Sequence, residues 1–557
     1  MRGLLSYSLL LATTTTTTLA LPQITRTGRY LYKSDDNSRF YVKGIAYQQQ
    51  GLIISGPDNP LNQPSTFVDQ LADSAGCSRD IPVLQKLGVN AIRAYSVNAS
   101  LNHDACMSAL DAAGIYVILD LTLPLNGSID TTQPTWSTNL LDQYTTTITA
   151  FSRYPNVLAY NIGNEVLTNG ATNAAPFLKA ATRDTRAFLK SMNSTALIGY
   201  ADIDGASAFR DGVAQYLSCD PSNSGNGDTS IDLFGLNNYA WCGNASSSTY
   251  DNLNAEFENY NVAAYFSEFG SENCNPGVRP WTEVGTLFAS PMTNIWSGGL
   301  AFSYFPATSA GHEFGMATLS GSSNETVTTN ADFDNLASQF SKIQFVNSPS
   351  KDSVQASTFG ACPQTGVQAS TTLPPTPNDS GCGCVAQRLA CRFKVPGGDY
   401  NAVLGTLTGT VCGLLAGVNG TCGDIAANGT TGVYGSMAMC DPVTRLSYAF
   451  SQYYDLTARH AASCDFDGNA TLDASATDSP ASALSACISN PSAISTPSAP
   501  AGVAAPSSSA SGAGGGGGGG GGGNGAGRMG GEVGMGLVFG AAVMVVGCVL
   551  GGVGMVL

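Results

Sequence analysis

Short apolar runs alternate with helix-length segments through roughly the first two-thirds of the chain. Eight runs rich in β-branched and aromatic residues are predicted strands: Phe40–Gln48, Asn90–Val97, Tyr116–Leu123, Val157–Glu165, Ala196–Ile203, Ile231–Ala240, Val262–Gly270 and Gly298–Phe305. Apolar residues at helical spacing lie between several of them, as in Ile81–Leu87, Asp104–Ala113 and Ala174–Met192. This alternation predicts an α/β chain folded as a (β/α)8 TIM barrel. A doubly wound open sheet is the alternative, although no Gly-rich phosphate loop follows the first strand.

The predicted strands are apolar at their beginnings and gain polar residues at their C-terminal ends. The polar or aromatic residues at these ends are Asp120, Asn164, Glu165, Asp202, Tyr239, Glu268 and Tyr304. The carboxyl ends of the strands form the active-site face of a (β/α)8 barrel. These residues are therefore the first candidates for chemistry.

Two glutamates stand out because they end the fourth and seventh predicted strands, on opposite sides of the barrel. Glu165 follows Asn164, and Glu268 precedes an aromatic residue and a glycine. Retaining glycoside cleavage needs two carboxyl groups about 5–5.5 Å apart, one protonated and one ionised. We predict that Glu165 is the acid/base, that Glu268 is the nucleophile and that Asn164 binds the sugar 2-hydroxyl. The alternative is that each is a surface carboxylate at a strand end.

Aromatic and charged residues near the other strand ends are candidates for binding sugar. Tyr47, Tyr95, Tyr239 and Tyr304 could stack against sugar rings, or they could pack in the core, and the same holds for Trp241 and Trp296. Arg93 and Asp120 could position the carboxylates or bind sugar, and they could equally form a buried ion pair. Asp202 ends the fifth strand and is assigned to the same sugar-binding set.

Composition and charge exclude several other classes of protein. The net charge of −16 argues against nucleic acid as a partner, and only 11% of the residues are charged, which suits a neutral polar ligand. The three histidines, His103, His312 and His460, lack metal-ligand spacing, so we expect neither a metal nor another cofactor. No Gly-x-Ser-x-Gly motif points to Ser-His-Asp hydrolysis.

The composition changes after the predicted barrel, which we assign to residues 21–371. A Pro-rich segment at 372–381 reads as a stiff linker. Residues 382–490 carry eight cysteines and form a second, small unit, and residues 491–524 are a low-complexity Ser/Gly tether.

Both ends of the chain indicate the secretory pathway. Residues 1–20 contain a short apolar run and a small-residue site, which is typical of a cleaved signal peptide. Asn524 and the apolar tail at 525–557 have the order of a GPI-attachment signal, with a transmembrane helix as the alternative. We therefore expect a GPI-anchored protein on the outer face of the plasma membrane, or in the cell wall. Of fifteen cysteines, only Cys548 lies in this tail, and the even remainder suits disulfides.

Several segments together resemble the fungal β-1,3-glucanosyltransferases of glycoside hydrolase family 72, the Gas, Gel and Phr proteins. The matching segments are Phe40–Gln48, Cys77–Leu84, Asn90–Asn98, Gly163–Val166, Leu236–Gly243, Phe266–Gly270 and Ile295–Gly299. The resemblance covers about residues 22–345. It implies a (β/α)8 barrel that elongates β-1,3-glucan by a retaining mechanism, with Glu165 as acid/base and Glu268 as nucleophile.

The small unit resembles the cysteine-rich carbohydrate-binding module of family 43, a mainly helical module. The matching pieces are Cys382–Cys384, Asn428–Gly432, Tyr434–Gly435, Leu446–Tyr454 and Cys464–Ala470. The resemblance implies β-1,3-glucan binding or support of the barrel. It also implies the disulfides Cys77–Cys106, Cys219–Cys362, Cys242–Cys274, Cys382–Cys440, Cys384–Cys487, Cys391–Cys464 and Cys412–Cys422.

Two departures from the family pattern concern the acceptor side. Pro306 stands where the family often has Glu, and Phe314 stands where it often has Tyr. We expect a monomer that takes β-1,3-glucan as donor and acceptor, cleaves internal linkages of the donor and transfers the new end to the acceptor. Only the resemblance separates this reaction from that of an endo-β-1,3-glucanase, and a non-catalytic glucan-binding wall protein is the third alternative.

Overall fold

The computed structural model describes residues 21–500 and 502–503, except 52–65, 125–126, 132, 273–277, 310, 364 and 398–399. The chain enters through a three-stranded antiparallel sheet, β1 (Ile24–Thr27), β2 (Tyr30–Lys33) and β3 (Arg39–Phe40). Leu31 and Phe40 from this sheet pack with the lower core of the next layer. The sheet therefore closes one end of the barrel that follows.

Eight parallel strands close into a barrel, in which every strand pairs with its neighbours in chain order. The strands are β4 (Val42–Ala46), β5 (Ala91–Ala94), β6 (Tyr116–Asp120), β7 (Val157–Asn164), β8 (Leu197–Ile203), β9 (Leu233–Asn238), β10 (Ala263–Phe269) and β11 (Trp296–Ala301). The predicted (β/α)8 barrel is confirmed, and closure excludes the open sheet. The observed strands are shorter because the predicted runs included residues of the flanking loops, and β11 begins at Trp296, two residues before the predicted strand.

Helices follow the strands and cover the barrel. They are α1 (Ser74–Leu87), α2 (Asp104–Ala112), α3 (Thr138–Phe151), α4 (Ala175–Ser191), α5 (Ser207–Ser218), α6 (Asp251–Phe257), α7 (Glu283–Leu287) and α8 (Ala331–Phe340). Helix α1 shows how the sequence sets their ends. Asp73 accepts the backbone N–H of Gly76 at its beginning, and Gly88 ends it in the left-handed conformation with φ +78°.

Four short strands follow the last barrel strand and precede α8. They form two hairpins, β12 (Thr308–Ser309) with β13 (His312–Glu313), and β14 (Ala317–Ser320) with β15 (Thr326–Thr329). No strand was expected from the sequence pattern at these positions. They carry the backbone from β11 past the C-terminal face of the barrel.

The C-terminal unit is a mainly helical module with its own core, as predicted. Its helices are α9 (Asp379–Arg388), α10 (Asn401–Gly417), α11 (Pro442–Leu456) and α12 (Pro480–Cys487). Its strands form two small pairs, β16 (Cys391–Phe393) with β19 (Ala470–Leu472), and β17 (Ala427–Asn428) with β18 (Val433–Tyr434).

Six disulfides connect described cysteines, and each is a pair that the family resemblance implied. They are Cys77–Cys106, Cys219–Cys362, Cys382–Cys440, Cys384–Cys487, Cys391–Cys464 and Cys412–Cys422. Cys242 is also disulfide-bonded, and its expected partner Cys274 lies outside the described residues.

The Pro-rich segment between the two units packs against helix α4. Arg183 donates to the backbone oxygen of Pro374 at 2.9 Å, and the hydroxyl of Thr376 donates to Asp184 at 2.9 Å. The segment predicted as a linker thus attaches the module to the side of the barrel.

The predicted signal peptide, Asn524 and the apolar tail all lie outside the described residues. Within the described part of the chain, no helix has the length and apolar composition needed to cross a membrane.

Candidate active site

Glu165 is the first residue after β7 and lies at the C-terminal mouth of the barrel. Its backbone has φ +52°, in the left-handed region that non-glycine residues seldom adopt. The N–H of Glu165 donates to the backbone oxygen of Ala201 in β8 at 2.8 Å, which holds this conformation. The side chain is only 3% exposed. The strained turn therefore keeps the carboxyl group in a buried position beside the end of its strand.

Glu268 lies on β10, across the barrel from β7, and is 1% exposed. The hydroxyl of Tyr95 donates to its Oε1 at 2.8 Å, and the hydroxyl of Tyr239 donates to its Oε2 at 2.8 Å. Arg93 Nη1 also lies 3.3 Å from Oε1. Each oxygen of this carboxylate therefore has at least one donor, which favours its ionised form.

Arg93 connects both sides of the mouth. Its Nε and Nη2 donate to the two oxygens of Asp120 at 3.0 and 2.6 Å, and Nη2 also donates to Asn164 Oδ1 at 2.9 Å. Asn161 donates to the same Asp120 carboxylate at 2.7 Å. Arg93 and Asp120 were expected either to form a buried ion pair or to orient the site residues. They do both, because Arg93 of this buried pair also contacts Asn164 and Glu268.

Asn237 is a site residue that was not among the candidates predicted from the sequence. Its Nδ2 donates to Glu165 Oε1 at 2.7 Å, and its Oδ1 accepts from the hydroxyl of Ser267 at 2.7 Å. Glu165 is thereby linked to the residue before Glu268. The signal available in the sequence was a pair of asparagines, Asn237 and Asn238, at the end of an otherwise apolar strand.

The surroundings of the two carboxyl groups affect their proton affinities differently. Burial raises the pKa of Glu165 well above its usual range, the charge of Glu268 raises it further, and the Asn237 amide opposes this only partly. Burial also raises the pKa of Glu268, but Arg93 and the hydroxyls of Tyr239 and Tyr95 lower it. Since Glu268 alone contacts a cation and two hydroxyl donors, it ionises first and Glu165 keeps the proton.

The hydroxyls around Glu268 remain protonated. Burial, and secondly the charge of Glu268, raise the pKa of Tyr95 and of Tyr239 well above the usual tyrosine range. Asp202 lies on β8 and its pKa is raised mainly by burial. Its negative charge would add to the factors that raise the pKa of Glu165.

Two tyrosines predicted to bind sugar are located elsewhere. The hydroxyl of Tyr47 donates to Asp80 Oδ2 at 2.9 Å, and that of Tyr304 donates to Asp80 Oδ1 at 3.0 Å. Asp80 belongs to α1, outside the barrel, and also pairs with Arg79 at 2.6 Å. Both rings are buried, and one carboxylate on a covering helix accepts from both hydroxyls. The structure therefore places Tyr47 and Tyr304 in the core and not among the carboxylates.

The two tryptophans considered for the cleft are also core residues. Trp241 stacks on Tyr250 at 5.6 Å, and Trp296 packs edge-on against Phe266 at 4.9 Å. Trp296 in addition donates its Nε1 to Asn254 at 2.9 Å. Both tryptophans therefore pack in the core, which was the alternative to a place in the cleft.

Phe314, one of the two departures from the family pattern, supports a site residue from behind. Its ring lies 5.8 Å from that of Tyr239 and 5.4 Å from that of Phe302, both edge-on. Arg279 donates to the backbone oxygen of Phe314 at 2.7 Å and pairs with Asp332 at 2.8 Å. Phe314 is therefore a buried wall for Tyr239, which in turn contacts Glu268.

The site combines two facing carboxyl groups of different proton affinity with tyrosine hydroxyls, amides and the ion pair of Arg93 and Asp120. Among the described residues, no three His, Cys, Asp or Glu side chains group in a way that could hold a metal ion. The arrangement can donate a proton from one side, and it presents a nucleophilic carboxylate on the other side.

The sequence matches two family profiles. The glucanosyltransferase family matches residues 13–344, and the X8 domain matches residues 389–471. The first match spans more than half of the chain and contains both glutamates.

Relatives and solved structures agree with this match. The 1,3-β-glucanosyltransferase gas1 of Schizosaccharomyces pombe is 39% identical over 473 residues, covering 82% of this chain and 80% of its own. Protein EPD1 of Candida maltosa is 38% identical over 494 residues, covering 86% and 83%.

The apostructure of a Saccharomyces cerevisiae Gas2p mutant superposes with a TM-score of 0.72 at 33% identity, covering 82% of this chain and 93% of that one. A Gas2p mutant in complex with laminaritetraose and laminaripentaose gives a TM-score of 0.71 at 33% identity, covering 84% and 99%. The chain therefore belongs to the glucanosyltransferase family of glycoside hydrolase family 72.

Proposed function

We propose that this protein is a retaining β-1,3-glucanosyltransferase that cleaves internal linkages of β-1,3-glucan and transfers the new end to another glucan. The observation that carries the proposal is the unequal environment of two buried carboxyl groups. Glu268 has a cation and two hydroxyl donors, whereas Glu165 has one amide donor. The Gas2p structure solved with laminaritetraose and laminaripentaose supports the same class of glucan here.

In the first step, a Glu268 oxygen attacks the anomeric carbon, and the bond from that carbon to the glycosidic oxygen breaks. Glu165 gives its proton to the departing oxygen, so the reducing-side fragment leaves as an alcohol and a glycosyl ester remains on Glu268. Arg93 donates to Asn164 Oδ1 at 2.9 Å, and this fixed orientation supports a role for the Asn164 amide in binding the sugar 2-hydroxyl, where hydrogen bonding strengthens in the transition state.

In the second step, the 3-hydroxyl of a second glucan attacks the same carbon and the ester bond to Glu268 breaks. Glu165, now ionised, takes the hydroxyl proton, which restores both groups to their starting states. Water competes for the same ester. The ratio of transfer to hydrolysis therefore depends on how well the acceptor glucan is held.

Product sizes distinguish transfer from its alternatives. Soluble protein is incubated with a reduced laminarin oligosaccharide, alongside the Glu165→Gln and Glu268→Gln variants. We expect products longer than the substrate from the unmodified protein and none from either variant. Only shorter products would instead establish an endo-β-1,3-glucanase. A complete lack of products with retained glucan binding would support a non-catalytic wall protein.

We infer that the protein acts as a monomer attached by a GPI lipid to the outer face of the plasma membrane, with cell-wall glucan as a second place of retention. The pair of terminal segments and the disulfides support the secretory route and the lipid anchor. Phosphatidylinositol-specific phospholipase C should release it from intact cells. The Asn524→Gln variant should not reach the cell surface, and retention of that variant there would reject Asn524 as the attachment residue.

A further inference from the structure

A groove of about 840 Å³ lies between the barrel and the C-terminal module and contains neither proposed catalytic glutamate. One wall comes from the loops after β6 and β7 and from the start of α3, including Asn139 and Thr172. The other wall comes from α10, β17 and α11, including Thr408 and Arg445. Neither unit forms this groove alone.

The barrel side of the groove belongs to the same face as the candidate active site. The loop after β6 follows Asp120, and the loop after β7 begins with Glu165. Loops that follow barrel strands all lie at the C-terminal face. The groove therefore borders the face of the barrel on which the carboxylates lie.

The two walls are fixed to each other by direct contacts. The backbone N–H of Thr138 donates to Met439 at 2.9 Å, and the hydroxyl of Thr430 donates to the backbone oxygen of Gln368 at 3.1 Å. Gly429 approaches the barrel so closely that an added Cβ would lie 1.9 Å from the backbone oxygen of Asn173. The groove is thus part of a docked interface.

The lining has the chemistry that binds a neutral, hydroxyl-rich ligand. Most of its polar side chains are hydroxyls and amides, with one carboxylate and one guanidinium, and aliphatic side chains and the Cys412–Cys422 disulfide form the rest. Nε of Arg445 is buried and has no hydrogen-bond partner among the described residues. Burial lowers the pKa of Arg445 to about 10, so the group stays charged and can donate to a ligand oxygen at neutral pH.

We propose that this groove binds a segment of β-1,3-glucan, as a distal saccharide site shared by the barrel and the module. The inference rests on the proposed function, because a polymeric substrate extends beyond the sugar units at the carboxylates. The groove volume lies within the range of about 300–1,000 Å³ in which proteins hold ligands of a few rings. A site of this kind would increase the affinity for long glucans, which reach it, and not the affinity for short ones.

The helix α10 offers a matched pair of variants for testing the site. Gly405 lines the groove, and Gly413 lies two turns further along the same helix outside the lining. A Cβ added at either glycine meets nothing within 4 Å, so a side chain can begin at both positions without a backbone clash. Gly405→Trp would fill the groove, and Gly413→Trp is its control. Arg445→Gln removes the unpartnered donor.

Kinetics are measured with long laminarin and with the shortest reduced oligosaccharide that the enzyme accepts. N-glycans are first removed enzymatically, because Asn428 at the groove lies in an Asn-x-Thr sequon and its glycan would compete. We expect Gly405→Trp, which fills the groove, and Arg445→Gln, which removes hydrogen bonds from a charged group, each to raise KM for laminarin at least about fivefold. In these two variants, KM for the short substrate and kcat for both substrates should stay within about twofold of the unmodified enzyme. The control Gly413→Trp should change neither KM nor kcat.

Binding provides a readout that is independent of turnover. In the full-length Glu165→Gln background, Gly405→Trp should weaken laminarin binding in calorimetry by the same factor while Gly413→Trp does not. Equal effects on long and short glucans, or no effect of either groove variant on binding by a folded protein, would overturn the proposal. A groove-dependent binding change without any transfer product would instead retain this site and reject the proposed reaction.

Discussion

The hydroxyl of Tyr239 donates a 2.8 Å hydrogen bond to Oε2 of Glu268. Tyr95 and Arg93 contact the other oxygen, Oε1. The two oxygens of the proposed nucleophile are therefore held by different elements of the barrel. One is held from β5 and the loop after it, and the other from the loop after β9.

We predict that Tyr239→Phe lowers kcat/KM by about tenfold or more, because a hydrogen bond to a charged group contributes about 1.5–3 kcal/mol. The hydroxyl stabilises the ionised form of Glu268 and thereby lowers its pKa. Removing it raises that pKa, so the acid limb of the kcat/KM profile should move to higher pH. A pH series of transfer rates measures both effects.

Tyr304→Phe is the matched control, since this tyrosine donates to Asp80 outside the barrel. We expect it to leave the position of the acid limb unchanged while it lowers the free energy of unfolding by about 0.5–3 kcal/mol. An acid limb that moves equally in both variants would show that Tyr239 does not tune Glu268 directly.

The roles of the tyrosines show where sequence reasoning succeeded and where it stopped. The barrel and its two facing glutamates follow from the order of the strands, and the alternation of strand and helix patterns along the sequence predicts that order. The partner of Tyr304 is Asp80, 224 residues away in the chain, and no periodicity links them. Strand-end position alone therefore could not distinguish Tyr304 from Tyr239.

The omission of Asn237 has a similar physical origin. Its importance comes from the parallel register that pairs it with Glu268 across β9 and β10 and brings its amide to Glu165. Register between strands is set by the closed barrel as a whole. The sequence presents only two adjacent asparagines, and it does not show which of them faces the carboxylates.

We predict that Asn237→Ser reduces transfer by about tenfold or more, since the carboxyl group of Glu165 loses its orienting donor. Because that donor lowers the pKa of Glu165, its loss should also move the basic limb of the pH profile to higher pH. The neighbouring Asn238→Ser variant serves for comparison, since Asn238 donates to Asp204. Comparable losses in both variants, with no movement of the basic limb, would contradict this role.

Breaking the buried ion pair between Arg93 and Asp120 should strongly lower the free energy of unfolding. Asp120→Ala leaves Arg93 without its main partner, and breaking such a pair costs about 3–5 kcal/mol. The exposed pair of Lys86 and Asp334 offers the contrast, because Asp334→Ala should cost about 0–1 kcal/mol. Denaturant unfolding under non-reducing conditions measures both, and similar losses in the two variants would mean that Arg93 finds another partner.

The docking of the module depends on the absence of a side chain at Gly429. In Gly429→Ala the new methyl group would lie 1.9 Å from the backbone oxygen of Asn173 and 3.0 Å from the ring of Phe177, so the two surfaces must separate. We expect the free energy of unfolding to fall by about 1–3 kcal/mol, as in other overpacked sites, and proteolysis between the two units to become faster.

Gly383→Ala, also in the module, is the control for this prediction, because its added Cβ meets nothing within 4 Å. It lies inside α9, where alanine should stabilise the helix by about 0.5–1 kcal/mol. Limited proteolysis of both variants beside the unmodified protein separates undocking from a general change in stability. If Gly429→Ala is cleaved no faster than Gly383→Ala, the close contact at Asn173 does not hold the module on the barrel.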